Sequence, residues 1–291
     1  MQSSGLRLYG IIGHPIAQSL SPLMHNANFE SLGIHASMQA YDIEPQSLNE
    51  ALQGFLSLDF GGLNVTIPHK ETIIPLLDEV AEEAGIIGAV NTVRFENGKL
   101  AGFNTDARGF MHLLEPLRSS VEGAKFMVLG AGGAARAVVY VLLKHIRTNQ
   151  IAVVSRTAAR ATEFTDHFRS INQSKLSTLS MGDPSLPRIL QSFDVIINAT
   201  PVGMFPETHA VPIENPKFHS GQIVIDLIYR PMTTQLLRQA SEDGARAVGG
   251  VEMFLQQGAE AFRIWTGQTM DIRTVRSAII SKLEQDISAS S

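Results

Sequence analysis

The stretch Asn64-Val-Thr-Ile-Pro-His-Lys70 joins a strand pattern to polar side chains. The strand period of two places Asn64 and Thr66 on one face. Lys70 follows in the first turn of a predicted helix, the end at which the helix dipole disfavours a cation. A solvated lysine is the bland reading, but the position gives the fold no benefit. An ammonium so placed can donate a proton or stabilise a developing oxyanion. Two more polar clusters accompany it, Ala89-Val-Asn-Thr92 and Asn104-Thr-Asp106. Asp106 falls at a helix start, where a carboxylate is favoured as a cap, and spacing alone does not bring it to Lys70. Nearer the N-terminus, Ser19-Leu-Ser-Pro22 sets two hydroxyls at a helix N-terminus, a position suited to a ligand carboxylate. Capping, with Ser21 as N-cap and Pro22 in the first turn, accounts for Ser21 but not for Ser19.

A second chemical feature lies in Phe126-Met-Val-Leu-Gly-Ala-Gly-Gly-Ala-Ala-Arg-Ala137. Gly130, Gly132 and Ala135 fill the small positions of a dinucleotide-binding turn: one for the turn, one for close approach of the backbone to a pyrophosphate, one for helix packing. The helix from about Gly133 to His145 aims its free N–H groups at that pyrophosphate. The following strand, Ile151 to Val154, ends in Ser155-Arg-Thr-Ala-Ala-Arg160, with no carboxylate before Glu163. An acidic residue there would bind the ribose hydroxyls of NAD and repel a 2′-phosphate. Arg156 and Arg160, four apart at a helix start, are expected on one face, able to grip that phosphate. Their bland reading is a pair of solvated surface arginines.

The elements that must carry these residues alternate. Strands are expected at Leu8 to Gly13, Ala36 to Ile43 and Gly62 to Ile67, with helices from Ser21 and from Pro45 to Leu56 between them. Helix then continues through Glu79 to Ala84, and Gly88 to Phe95 pairs with Lys99 to Phe103 around an Asn97-Gly98 turn. A helix from Asn104-Thr-Asp106 runs to about Leu117, and Ser119 to Gly123 is the expected crossing into the second domain. Beyond the glycines come a helix at Ala158 to Ile171, strands near Leu176, at Asp194 to Asn198 and at Ile223 to Leu227, a helix at Thr233 to Glu242, and a strand at Ala245 to Val248. That completes a doubly wound sheet. The helices Val251 to Trp265 and Ile272 to Leu283 are surplus to it and are expected to return to the first domain, leaving Gln285 to Ser291 as a frayed polar tail.

Composition narrows the function. The 291 residues suit two domains. With 44% hydrophobic and 18% charged residues the chain is ordinary for a globular protein. A net charge of −5 leaves no basic field for nucleic acid. The absence of cysteine removes thiol nucleophiles and cysteine–metal sites, and the nine histidines include no pair at zinc-ligand spacing, so no metal is expected. No signal-like segment and no run of ~18 apolar residues appears, which points to a cytoplasmic protein without a membrane partner.

Taken together, Ser19-Leu-Ser21, Asn64 to Lys70, Gly88-Ala-Val-Asn-Thr92, Gly102-Phe-Asn-Thr-Asp106, Gly130 to Arg136, Asn198-Ala-Thr-Pro-Val-Gly-Met204, Asp226-Leu-Ile-Tyr-Arg-Pro231 and Met253 to Gln257 resemble, in order, the motifs of the shikimate dehydrogenases. The likeness runs from about Tyr9 to Gly267. It implies an α/β protein with an N-terminal α/β substrate domain (1–118 plus 251–291) and a doubly wound Rossmann NADP-binding domain (119–250), facing each other across a cleft. The implied reaction is NADPH reduction of 3-dehydroshikimate to shikimate in the chorismate branch of aromatic biosynthesis. Position by position, Lys70 and Asp106 match the catalytic pair, and Ser19 and Ser21 the carboxylate-binding serines. Asn64, Thr66, Asn91, Tyr229 and Gln257 match residues that hold the ring hydroxyls, and Leu227 and Gly250 lie at positions near the nicotinamide. Gly130, Ala131, Gly132, Gly133 and Ala134 belong to the glycine turn, while Ser155, Arg156, Thr157 and Arg160 follow the second cofactor strand. Ser155 stands where the family commonly has asparagine.

Two rivals share these features. One is a quinate/shikimate dehydrogenase of broader specificity, against which the Ser-Leu-Ser spacing and the lack of an acid after the second cofactor strand both count. The other is a catalytically dead sensor of NADP(H) or a cyclic acid, against which retention of both Lys70 and Asp106 counts. The oligomeric state, homodimer included, stays open.

Overall fold

Short runs form strands here, buried on both faces at the centres of the sheets, as in Gly62–Val65, Val195–Asn198 and Ile223–Asp226, and partly exposed towards the edges, as in Ala36–Asp42 and Leu176–Ser180. The computed structural model describes residues 5–172 and 175–289, and in them these runs form two six-stranded sheets. The chain divides into two compact units, one reaching to Gly109 and resuming at Leu255, the other spanning Phe110–Phe254.

The first unit contains β1 (Arg7–Gly13), β2 (Ala36–Asp42), β3 (Gly62–Val65), β4 (Glu79–Val80), β5 (Thr92–Glu96) and β6 (Lys99–Phe103), in the order β2-β1-β3-β5-β6-β4. β1 runs parallel to β2 and β3, and β5 pairs antiparallel with β3 and β6. Asn97 and Gly98 both have positive φ, 53° and 75°, as a two-residue type I′ hairpin turn requires. The core beneath the sheet is built from Ile12, Leu63, Val65, Val93, Phe55 and Phe60, all buried.

Helix does not continue through Glu79 to Ala84: Glu79–Val80 is an edge strand beside Ala101 and Gly102, and the helix starts only at Glu82. A two-residue strand is too short to show a period, and its glutamate-rich surroundings have helical propensity.

The surplus helices are Val251–Thr266 and Ile272–Ala289. From Leu255 onward they belong to the first unit. Trp265 Nε1 donates to the Val93 carbonyl at 3.0 Å, the Asp271 N–H donates to Asn28 Oδ1 at 2.8 Å, and Gly258 lies so close to Met24 that a Cβ there would collide with it. The expected frayed tail is helical through Ala289, aided by Lys282 and Asp286, one turn apart at 2.7 Å. Residues 290–291 lie outside the described range.

The second unit contains β7 (Lys125–Leu129), β8 (Gln150–Ser155), β9 (Leu176–Ser180), β10 (Val195–Asn198), β11 (Ile223–Asp226) and β12 (Arg246–Val248). Their order, β12-β11-β10-β7-β8-β9, is parallel throughout and reverses direction between β7 and β10. Ligands of such sheets bind beyond the carboxyl ends of the strands at that reversal. The helix expected over Ala158 to Ile171 is two, Ala158–His167 and Arg169–Asn172, and a short helix at Leu186–Leu190 was not signalled by the sequence.

Candidate active site

In the first unit the three polar clusters are laced into one network. Lys70 follows β3 on the single-turn helix His69–Thr72, so the dipole that was to disfavour it is small. Its neighbour His69 is fully buried and donates Nε2–H to the Ile43 carbonyl at 2.7 Å, while the Val90 N–H donates to the Lys70 carbonyl at 2.7 Å. Burial lowers the pKa of His69, which fits a neutral ring fixing the backbone under Lys70. Lys70 Nζ donates to Asp106 Oδ2 at 2.5 Å, with side-chain exposures of only 14% and 7%. The other carboxylate oxygen, Oδ1, accepts from Asn91 Nδ2 at 2.8 Å. Asn91 also donates to Thr105 Oγ1 at 2.9 Å and accepts the Thr105 N–H at 2.7 Å.

Asp106 is therefore not the cap of its helix, Asp106–Leu114. Asn104 takes that part: its Oδ1 accepts the Ala107 N–H at 3.2 Å while its Nδ2 donates to the Ala89 carbonyl at 2.8 Å. Both oxygens of Asp106 are left for side chains.

Ser21 is also not a cap. The helix Ser21–Ser31 begins with it, Leu20 occupies the N-cap position, and no side chain closes the cap. Instead Ser19 Oγ accepts the Ser21 N–H at 3.3 Å, leaving the half-buried Ser19 and the buried Ser21 side by side on one turn. The loop that carries them leaves β1 beside Thr66: the His14 N–H donates to the Ile67 carbonyl at 2.9 Å, and a Cβ on Gly13 would come 2.6 Å from Thr66 Cγ2. Asn64 donates Nδ2 weakly to Thr92 Oγ1 at 3.5 Å, and its buried Oδ1 meets no hydrogen-bond donor among the described residues. Gln257 is buried on the helix Val251–Thr266, next to the Gly258 that packs on Met24. Thr92 and Thr105, to which the sequence assigned no role, form the layer behind Asn64 and Asn91.

In the second unit the glycine turn has the expected anatomy. Gly130 has φ +108° and sits against β10's exit, where a Cβ would lie 3.1 Å from Thr200 Cγ2 and 3.2 Å from the Ala199 carbonyl. Gly132 is different, with φ −103° and no atom within 4 Å of a built Cβ, so neither its conformation nor packing demands glycine. The room it leaves suits a pyrophosphate against Ala131, Gly132, Gly133 and Ala134, at the N-terminus of the helix Gly133–His145. Ala135 is fully buried, as close helix packing requires.

The Gly130 N–H donates to the Val154 carbonyl at 2.8 Å, so the turn after β8 lies beside the glycine turn. There Ser155 is buried, and Thr157 caps the helix Ala158–His167 by accepting the Arg160 N–H at 3.4 Å. Arg156 consequently precedes the cap and stands outside the helix, so the four-residue helical spacing expected to align it with Arg160 does not apply. Both arginines are exposed.

Leu227 and Gly250 meet each other: a Cβ on Gly250 would collide with the Leu227 carbonyl, and the Gly250 N–H donates to the Ile228 carbonyl at 3.1 Å. Tyr229 stacks on Phe254 with ring centroids 3.9 Å apart. Behind these loops Asp226, fully buried, accepts from Thr234 Oγ1 at 2.7 Å, Asn198 Nδ2 at 3.1 Å and the Ile228 N–H at 3.1 Å. Burial outweighs those bonds and pushes its pKa up to about 6 from 3.8. The folded state thus holds this proton more tightly than the unfolded chain. The group's contribution to stability is complete below pH ~4 and is lost as pH rises through about 6. Thermal midpoints of the parent should accordingly fall relative to Asp226→Asn between pH 4 and pH 7, by the equivalent of roughly 2–3 kcal/mol. Parallel pH profiles would show that Asp226 titrates normally.

A doubly wound parallel sheet with a glycine turn, together with a unit holding a paired lysine and aspartate among amides and hydroxyls, defines a nucleotide-dependent dehydrogenase of the two-unit type. Comparison with known proteins makes it particular. Residues 11–93 match the shikimate dehydrogenase substrate binding domain, residues 112–227 the shikimate/quinate 5-dehydrogenase family, and residues 250–280 the shikimate 5′-dehydrogenase C-terminal domain. A shikimate dehydrogenase (NADP(+)) of Methanopyrus kandleri is 42% identical over 94% of this chain and 95% of its own. Among solved structures, a shikimate dehydrogenase in complex with NADP+ aligns with TM-score 0.86 and 36% identity, covering 97% of this chain and 98% of that one. A quinate dehydrogenase from Corynebacterium glutamicum in complex with NAD aligns with TM-score 0.84 and 30% identity over 95% and 99%. The chain belongs to the shikimate dehydrogenase family. Among the described residues no helix is long and apolar enough to cross a membrane.

Proposed function

We propose that the protein catalyses the reversible NADPH-dependent reduction of 3-dehydroshikimate to shikimate, the step of the shikimate pathway that leads towards chorismate and the aromatic amino acids. The observation that carries this reading is the Lys70–Asp106 pair, nearly buried and held from behind by Asn91. Bound NADPH supplies the hydride. As the ketone carbon accepts it, charge develops on the oxygen, and Lys70 gives that oxygen a proton while stabilising the charge. Asp106 holds the ammonium and accepts a hydrogen bond from the neighbouring substrate hydroxyl. Ser19 and Ser21 take the carboxylate, and Asn64, Thr66, Asn91, Tyr229 and Gln257 the ring hydroxyls. The glycine turn 130–134 receives the pyrophosphate, Ser155, Arg156, Thr157 and Arg160 the 2′-phosphate end, and Leu227 and Gly250 the nicotinamide end. The enzyme is proposed to be cytoplasmic, and sedimentation of the purified chain distinguishes a monomer from a homodimer.

The test is NADPH absorbance with 3-dehydroshikimate, then NADP reduction with shikimate and with quinate. Quinate carries an extra hydroxyl on the carbon that bears the carboxylate, close to Ser19 and Ser21. An oxygen left unpaired in such a site costs ~1–3 kcal/mol, so quinate should be worse in kcat/KM by about 5- to 150-fold. Equal specificity constants would support the broader quinate/shikimate enzyme instead. NADP(H) binding with no turnover of either acid would identify a sensor.

A further inference from the structure

We infer that His25 is a positioning residue of the substrate site, a neutral imidazole whose N–H holds the Asn64 carbonyl oxygen and so aims the Asn64 amide at the substrate. The inference rests on the proposed role of Asn64 in holding a ring hydroxyl.

His25 lies one turn after Ser21 on the helix Ser21–Ser31, on the same face. It has no exposed surface, and neither ring nitrogen closes a hydrogen bond with any described residue. Buried polar groups are rarely left in that condition. Three sides of the ring are apolar: Trp265 at 5.1 Å and Phe29 at 6.3 Å between ring centroids, and Gly258, where a Cβ would stand 3.8 Å from Nε2. Asn64 is a polar neighbour close enough to act on the ring. Its amide opposes the effect of burial on the ring, which still brings the His25 pKa down to about 3. Near neutral pH the ring therefore carries one N–H and one acceptor nitrogen.

The two side chains have complementary needs. Asn64 Oδ1 is buried without a donor, and His25 has a buried N–H without an acceptor. With Oδ1 taken by the imidazole, the amide is fixed against a flip. One Asn64 N–H then points to Thr92 Oγ1, and the second is left to meet a substrate hydroxyl. Packing alone gives no reason for a histidine here, because an apolar side chain would fill the slot without burying two ring nitrogens.

The experiment combines kinetics with 15N NMR of the full-length enzyme. His25→Leu should keep the parental thermal midpoint or exceed it, raise the KM for shikimate about ten- to hundredfold, and leave the KM for NADP unchanged and kcat within a few-fold. His25→Gln, whose amide N–H can replace that of the ring, should recover most of the loss. In an Asn64→Ala background, His25→Leu should add less than about twofold, since the two changes remove one interaction. A parental KM in folded His25→Leu, or losses that multiply in the double variant, would overturn the inference. The NMR arm needs neither turnover nor a folded His25 variant. It should show a ring that stays neutral well below pH 6, with a single N–H whose signal moves in Asn64→Ala. An ordinary titration near pH 6.5, or an unmoved signal, would overturn the inference as well. Failure of the parent enzyme to oxidise shikimate would sink the proposed function instead, while the NMR result still decides the His25–Asn64 bond.

Discussion

Lys70→Ala is expected to fold as the parent does and to turn over 3-dehydroshikimate about 10²–10⁴-fold more slowly, the range typical of a lost general acid–base group. The Lys70 side chain is 14% exposed, and its ammonium donates at 2.5 Å to a carboxylate whose other oxygen is held by Asn91. Removing it takes away both the proton and the positive charge that meets the developing alkoxide. The ring-binding amides and hydroxyls remain, so the KM for 3-dehydroshikimate should change much less than kcat. The cost to stability should be modest, because the bonds fixing this turn run through the Lys70 carbonyl and the His69 ring and survive the substitution. A lysine that merely decorated a helix would leave turnover near parental. That result, in a variant with an unchanged thermal midpoint, would remove Lys70 from the catalytic pair.

What made Lys70 readable from sequence was its lack of a structural purpose, and the same logic failed where a structural purpose was available. Asp106 and Ser21 both stand at helix starts, and capping was a sufficient account of each. The structure withdraws that account by giving the caps elsewhere: Asn104 serves the helix of Asp106, and the helix of Ser21 closes without a side-chain cap. One-dimensional spacing cannot decide which of several adjacent Asn, Thr and Asp residues turns back on the backbone. Nor could it bring together Lys70 and Asp106, which lie 36 positions apart and meet only because β3, β5 and β6 are neighbours in the sheet. The central parallel strands of the second unit, Lys125–Leu129, Gln150–Ser155, Val195–Asn198 and Ile223–Asp226, were legible because each is a nearly continuous apolar run. Glu79–Val80 was not, since two residues carry no period. His25 escaped notice because a lone histidine on an otherwise apolar helix face reads as packing. Its four-residue spacing from Ser21 was the available signal.

The glycine turn shows how a sequence motif separates once it is folded. Gly130 is required by the protein itself, through its positive φ and the crowding against Ala199 and Thr200, whereas Gly132 is required by nothing in the chain. That difference is evidence for a ligand, because a position with ordinary φ and free space would otherwise accept any small side chain. A pyrophosphate held there would lie beside β8, whose Val154 carbonyl is bonded to the Gly130 N–H.

The adjoining turn should set the choice of cofactor, and the expected result is a preference for NADP over NAD of roughly 10²–10⁴-fold in kcat/KM. β8 ends in the buried Ser155, with the exposed Arg156 before the cap and Arg160 in the first turn of the helix that Thr157 caps. No carboxylate stands where NAD-binding sheets place one for the ribose hydroxyls, and none occurs before Glu163. The two guanidinium groups reach the phosphate from different backbone elements, one from the loop and one from the helix, so they need not act as a rigid pair. Each charge-assisted hydrogen bond contributes ~1.5–3 kcal/mol, with the lower figure the better guide at so exposed a site. Arg156→Ala should therefore lower kcat/KM for NADP by about ten- to hundredfold and leave that for NAD nearly unchanged, at ~1.4 kcal/mol per factor of ten. The parent's advantage over Arg156→Ala should shrink as salt rises, since the contact is solvent-exposed and screened over ~10 Å at 0.1 M. An NAD preference in the parent, or an NADP-to-NAD ratio that does not move in Arg156→Ala, would show that these arginines are solvated surface residues and that the 2′-phosphate is held elsewhere.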